Sequence, residues 1–413
     1  MSKIILFLNL RRTVHEAYAA LMAARQLGCE IILLTDKPYG VANQFVKIIE
    51  IVDTFDHDKI VEKVKSINQL YKIDGVVTWA DRDVELVARL SEELNLRGPS
   101  RKAAYSARNK HAMLEALTLV KELLPTYSKV VDQISLQHAM RKVGFPAVMK
   151  PTGASGSKGI FVVNSEQEAF IAFEKLLALS SPDKDPIFKF YGAEILFEEY
   201  LDGNEFSVEG WVYNSEITIV GITDKWTTEP FHLEYQHIHP SSMPKEQQDI
   251  IKRNTSKIVS ELNLNNCAFH LEAKWTSRGF KFIEIAARIG GDYITSHLIP
   301  MATGINFYVQ IIKIILGEEP EAIIPNLQHA GVRFLLASSG GVFQGLSQAE
   351  NLLGNETIRS VFLELKSGQV ISLPPDNFAT QRGAAVIASA IEYAAVEQAL
   401  ENSAHLSHII INE

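Results

Sequence analysis

Cysteine is nearly missing from this sequence: Cys29 and Cys267 are its two thiols in 413 residues, and they stand in unrelated contexts. They form neither a metal-binding spacing nor a disulfide framework, so a reducing cytoplasm is the expected compartment. Long apolar runs are missing too. The first, Ile4 to Leu8, is too short to cross a bilayer. A signal peptide would carry its charges ahead of such a run, yet Arg11-Arg12 follow it, so a first β-strand is expected. There is no basic surplus. The net charge is −9 and the pI near 5.8, which gives no electrostatic footprint for nucleic acid or an anionic membrane. The first loop, Asn9-Leu10-Arg11-Arg12, lacks the G-x-G-x-x-G of a dinucleotide site, and Gly153 to Gly159 does not have the Walker A spacing.

What is present is an ordinary globular composition, 46% apolar and 22% charged, in a chain long enough for two or three domains. The first hundred residues alternate strand and helix. Strands are expected at 3–8, 30–35 and 75–79, and helices at 14–27, 58–71 and 83–94. That order implies a parallel sheet wound by helices, with ligands at the carboxyl ends of its strands. Beyond Gly98-Pro99 a helix is expected over 103–119. A strand at 146–150 is followed by a glycine-rich loop, 152–159, and a strand at 160–163. Strand, loop and strand make a flap rather than a P-loop. The middle of the chain reads as β-rich, with strands at 195–200, 205–213, 217–223, 268–276 and 280–285. The last ninety or so residues read as a smaller α+β unit with turns at Gly340-Gly341 and Pro374-Pro375.

Chemistry is concentrated on two neighbouring strands. Alternation puts His270, Glu272 and Lys274 on one face and Phe269, Leu271, Ala273 and Trp275 on the other. After a turn at 276–279, Glu284, Ala286 and Arg288 share a face. The hairpin can place Glu272 beside Glu284, and opposed carboxylates repel unless a cation lies between them. Mg²⁺ favours a few carboxylates plus phosphate oxygens, and the planar fork of an arginine suits a transferred phosphate. Either acid alone would read as a solvated surface group. The pair with Arg288 and Gly290-Gly291-Asp292 favours a site.

In these residues and their order the chain resembles the ATP-grasp carboxylate–amine ligases, in the manner of the L-amino acid (dipeptide) ligases. The resemblance implies the ATP-grasp fold, α/β and α+β. A doubly wound N-terminal domain would occupy 1–105 and the ATP-grasp domain 106–318, with a mobile lid at about 118–195. A small C-terminal α+β module would follow at 319–413. It also implies roles. Lys110 and Lys150 match the lysines that contact ATP phosphates. The loop carrying Gly156, Ser157, Lys158 and Gly159 matches the flap over them, where glycines let backbone N–H groups approach oxyanions. Glu198, Glu199 and Leu201 match the adenine-reading hinge, and Glu205 the ribose acid. Glu272 and Glu284 match the metal acids, for two Mg²⁺ ions that Mn²⁺ can replace, and Arg288 the phosphate-stabilising arginine. One position departs from the pattern: many ATP-grasp enzymes have Asn where Ala286 stands.

The segment from Thr228 to Pro240 resembles the E-x-x-H-x-x-P element of amino acid ligases, with Glu234, His237 and Pro240 on the pattern. A carboxylate there suits an α-ammonium, and a neutral histidine can take a proton from an attacking amine. The alternative is a loop whose histidines cap backbone groups; His232 and His239 lie off the pattern and read as structural. The expected reaction joins a carboxylate to an amine through an acyl phosphate, releasing ADP and phosphate. Both substrates would be small molecules, with neither nucleic acid nor membrane as a partner, and a homodimer is the family habit. Two other readings stand beside it. One keeps the fold with a purine-pathway, carrier-bound or amino-sugar substrate. The other is a nucleotide-binding protein without turnover.

Overall fold

The computed structural model describes residues 2–156, 158–229, 232–324, 328–374, 377 and 379–412. Three expectations touch residues outside this set. Ser157 of the flap is one. Pro230 and Phe231 of the amine-side segment, and Pro375 of the expected turn, are the others.

The first residues form a parallel sheet in the order Ile48–Ile51, Glu30–Thr35, Ile4–Leu8, Gly75–Thr78. Three of its strands are short apolar runs buried on both faces, as parallel strands covered by helices must be. The sequence reading omits the edge strand Ile48–Ile51, which is partly exposed and only four residues long. Helix Phe307–Leu316 joins this domain to the next. Apolar nearly all round, it is buried on nearly every residue. Phe307 meets Trp211 edge to face, 5.4 Å between centroids, while Tyr308 packs on Trp79 at 4.8 Å.

An eight-stranded antiparallel sheet forms the centre. Its order is Gly279–Ala286, Cys267–Thr276, Asn204–Tyr213, Glu216–Thr227, Glu234–His239, His329–Leu336, Arg382–Ala390, Ile358–Leu363. The expected alternation holds on Cys267–Thr276: Phe269, Leu271 and Ala273 are fully buried in the core. Phe269 lies opposite Gly210 in the register, and a Cβ on Gly210 would stand 2.3 Å from its ring. That contact explains a glycine in mid-strand. The segment weighed as a possible loop is the strand Glu234–His239, and it links the two halves of the sheet. Through it the C-terminal strands continue the central sheet, which brings Arg382 beside Glu234, 148 positions earlier.

A separate four-stranded sheet, Tyr127–Val130, Ile195–Glu199, Ala147–Pro151, Phe161–Val163, packs under helices Gln133–Val143 and Glu166–Leu179. The single helix expected over 103–119 is two, Arg101–Ser106 and Lys110–Ala116. Asn109 breaks it by capping the second: its side chain accepts from the Ala112 N–H at 2.9 Å. Lys110 therefore opens a helix instead of riding in the middle of one. No single helix among the described residues is long and apolar enough to cross a membrane.

Candidate active site

Four adjacent strands of the central sheet present charge to one cavity of about 580 Å³. Glu272, Glu205, Lys225 and Glu234 stand on successive strands in that order. The Lys225 ammonium lies 2.5 Å from Glu234 Oε1, 3.0 Å from Glu272 Oε1 and 3.1 Å from Glu205 Oε1, with its side chain 1% exposed. Burial works against its charge, but the three carboxylates hold its pKa well above the ordinary value. Glu272 is correspondingly held well below the usual range: burial opposes this, and Lys225 and His270 overcome it. Sequence reasoning missed Lys225. Its signal was a lysine inside an otherwise buried strand, paired in register with Glu205.

Glu272 and Glu284 are direct cross-strand partners, as the hairpin spacing suggested. Each already has its own side-chain cation. His270 Nε2 and Lys225 Nζ meet Glu272 Oε1 at 2.9 and 3.0 Å, and Lys110 Nζ lies 3.1 Å from Glu284 Oε2. The pair does not depend on a metal to be tolerated. Both acids line the cavity, and two opposed hard oxygen donors suit Mg²⁺. The residues present therefore fit the ion. Behind Glu272, His270 Nδ1 lies 2.6 Å from the fully buried Glu209. Burial depresses a histidine pKa, but the carboxylates of Glu209 and Glu272 push His270 up to about 9. It is an imidazolium at neutral pH. Gly290 makes room for this acid, since a Cβ there would stand 2.7 Å from Glu209 Oε2. His270 is also the register partner of Ala286, the position where the family's Asn is missing.

At one end of the cavity, Lys150 Nζ lies 2.5 Å from Glu198 Oε1, and both side chains are buried. Among the described residues Glu198 Oε2 has no partner, leaving a buried acceptor beside the hinge. Glu199 is less available than expected. Its N–H donates to Thr126 O at 2.8 Å, and its carboxylate takes Thr126 N and Arg278. The Leu201 carbonyl accepts from Lys274 at 3.2 Å. The Lys110 ammonium also donates to Ala154 O at 2.7 Å, tying the glycine loop to its helix. Lys158 pairs with Asp185 at 2.7 Å and remains mostly exposed. Gly156 and Gly159 take left-handed backbone angles, φ 71° and 73°, that suit glycine in such a loop.

At the other end, Asp81 is shared by Arg108 and Arg288, the latter at 3.3 Å. Asp292 lies 2.8 Å from Arg382 Nη1, and Arg382 Nη2 donates to Glu234 O at 2.6 Å while its guanidinium covers Phe334 at 4.1 Å. Burial would raise the Asp292 pKa, but Arg382 and His237 hold it well below the usual range. Glu234 goes the other way: burial and the neighbouring Asp292 and Glu272 raise it against the pull of Lys225. Glu234 lines the cavity. His237 does not: it is fully buried, with Nε2 3.4 Å from Asp292 and 3.7 Å from Glu234. It backs the two carboxylates and does not line the cavity. His239 is buried and hydrogen-bonded to Thr223, consistent with a structural part, whereas His232 borders the cavity. Asp81 and Arg382 were not legible as site residues.

Two outcomes follow from these charges. Lys225→Met leaves three carboxylates facing one another and should lower stability by about 3–5 kcal/mol at pH 7. The deficit should shrink as falling pH protonates them; urea unfolding at several pH values checks both. For His270, a folded pKa near 9 lies above the unfolded 6.5. Its stabilisation is complete below pH 6.5 and is lost as pH rises through about 9. The wild-type melting temperature should fall across that window more steeply than that of His270→Gln. Parallel profiles would contradict the assignment.

Comparison with known proteins bears on the fold that carries this cavity. A family model described as the ATP-grasp domain matches residues 143–296, and one described as the ATP-grasp N-terminal domain matches residues 21–98. The chain is 29% identical over 249 residues to dapdiamide A synthase of Enterobacter agglomerans, covering 57% of this chain and 55% of that protein. It is 27% identical over 253 residues to alanine–anticapsin ligase of Bacillus subtilis, covering 57% and 53%. It thus spans about half the length of these two curated relatives. The crystal structure of an L-amino acid ligase from Bacillus licheniformis superposes with a TM-score of 0.89 at 21% identity, over 100% of this chain and 99% of that one. Two stretches of the chain thus match an ATP-grasp N-terminal domain and an ATP-grasp domain, and the chain has the ATP-grasp fold.

Proposed function

We propose that the protein is an ADP-forming ligase that activates a carboxylate, most simply that of an amino acid, as an acyl phosphate and joins it to an amine. The observation that carries this reading is the meeting, in one cavity, of phosphate-type lysines, an opposed acid pair, an arginine and an amine-type acid cluster. One curated relative is named as a ligase of alanine and anticapsin, which supports this reading.

ATP lies along the lysine end, with Lys110 and Lys150 at its phosphates and the buried Glu198 Oε2 accepting from the adenine amino group. Glu205 faces the ribose. Glu272 and Glu284 would hold Mg²⁺, two ions in the full complement and replaceable by Mn²⁺, which when bound neutralises phosphate charge and fixes the phosphate oxygens. The substrate carboxylate attacks the γ-phosphorus, and ADP leaves. Arg288, already oriented by Asp81, meets the transferred phosphoryl group. The glycine loop shields the acyl phosphate from water. Glu234 and Asp292 receive the incoming ammonium, and the raised pKa of Glu234 makes it the better proton acceptor. His237 and Arg382 position those two carboxylates. The amine attacks the acyl carbon, phosphate departs, and an amide remains.

A screen of amino acid pairs for ADP release, with product masses, tests this. ADP should form fully only when both a carboxylate and an amine are supplied. Glu284→Gln and Arg288→Ala should each lower kcat by about a hundredfold or more, with the fold retained. Undiminished acceptor-dependent ADP release in these variants would overturn the assignment. Tight ATP binding with no ADP from any pair would instead favour a nucleotide-binding protein without turnover.

A further inference from the structure

Most cations at the amine end of the cavity already have carboxylate partners. Arg82 pairs with Asp36 at 2.8 Å and Asp83 at 3.4 Å, Arg288 pairs with Asp81 at 3.3 Å, and Arg382 holds Asp292. Arg11, Arg12 and Lys37 line the same cavity, and among the described residues none of them makes an ion pair. In a chain of net charge −9 this is a local excess of positive charge. All three follow the carboxyl ends of parallel strands Ile4–Leu8 and Glu30–Thr35, where ligands of such sheets bind.

Arg11 is held in place without being neutralised. Its Nη2 donates to Ile289 O at 2.8 Å, while its buried Nε has no partner among the described residues. Its guanidinium crosses Gly291, where a Cβ would stand 3.0 Å from Nη1. The loop that carries it is fixed at both sides. Asn9 sits at φ 57°, donates to Asp83 at 2.8 Å and Thr54 at 3.1 Å, and accepts from the Asp36 N–H at 3.1 Å. Tyr39 OH donates to Leu10 O at 2.8 Å. Arg12 reaches across to Ala379 O of the C-terminal residues at 3.5 Å. An oriented guanidinium with no carboxylate beside it is arranged to receive an anion, which it binds through charge-assisted hydrogen bonds.

We infer that Arg11, with Arg12 and Lys37, binds an anionic group, carboxylate or phosphate, that a substrate carries and the reaction leaves intact. This rests on the ligase reading and narrows its amine. Arg11 lies over Gly291, next in sequence to Asp292, so the anion subsite adjoins the carboxylates that receive the ammonium. A molecule bridging the two carries both an amine and a spectator anion. The anion is either the acceptor's own α-carboxylate or an acid on a side chain.

The experiment compares each accepted amine with its neutral counterpart: an α-amino acid against its α-amide, glutamate against glutamine, O-phosphoserine against serine. Wild-type kcat/KM should fall at least tenfold when the relevant anion is removed. Loss with the α-amide alone assigns the subsite to the acceptor carboxylate; loss with the side-chain pairs alone assigns it to a side-chain acid. Arg11→Gln should raise the KM of the anionic substrate at least tenfold, leave the KM for ATP unchanged and narrow the preference over the neutral form. Arg12→Gln, at a more exposed position, should act in the same direction, and Arg11→Lys should restore part of the preference. Calorimetric binding of the same pairs, with a non-hydrolysable ATP analogue present, needs no turnover. A preference for the anionic form that Arg11→Gln abolishes supports the subsite even if no ADP forms, an outcome that would defeat only the ligase reading. Equal kcat/KM and equal binding of charged and neutral forms by the wild type would overturn the inference. So would an Arg11→Gln variant that weakens both forms alike.

Discussion

One buried ammonium organises the centre of this protein. Lys225 stands among Glu205, Glu234 and Glu272, which the proposed reaction uses at ribose, amine and metal. Without a cation between them, three carboxylates on neighbouring strands could not stay ionised in a buried cavity. The antiparallel register makes the arrangement possible. It sets four successive strands side by side and turns one residue of each toward the same space. The same rule recurs at each margin of the site. Asp81 stands between two arginines, Glu209 is answered by an imidazolium, and Asp292 by Arg382.

This pattern ties the site to every part of the chain. Asp81 comes from the N-terminal parallel domain, Lys110 and Lys150 from the segments around the glycine loop, and Arg382 from beyond position 330. The C-terminal strands are continuous with the central sheet, so Arg382 is held by the same hydrogen-bonded lattice as Glu234. The setting of Glu234 and Asp292 thereby depends on the C-terminal strands.

How much of this was legible in the sequence depended on distance along the chain. Alternation on Cys267–Thr276 separated Phe269 and Leu271 from His270 and Glu272 without any tertiary knowledge, because the strand period is local. The short turn likewise allowed Glu272 to stand against Glu284, where the register puts it. Lys225 and Arg382 were invisible for the opposite reason. Their partners lie on other strands, and only the sheet order reveals them. Asn109 was readable as a cap in principle, but the apolar periodicity on either side hid the break. His237 was found by motif and misjudged in reach. Its place on an inner strand buries it behind Glu234, something a spacing pattern does not encode.

The central claim is that the carboxylate becomes an acyl phosphate in this cavity, and oxygen labelling tests it most directly. With an accepted acid carrying ¹⁸O in its carboxylate, turnover should deliver a labelled oxygen to the inorganic phosphate, detected by its mass. Unlabelled phosphate, or label in AMP, would contradict the account.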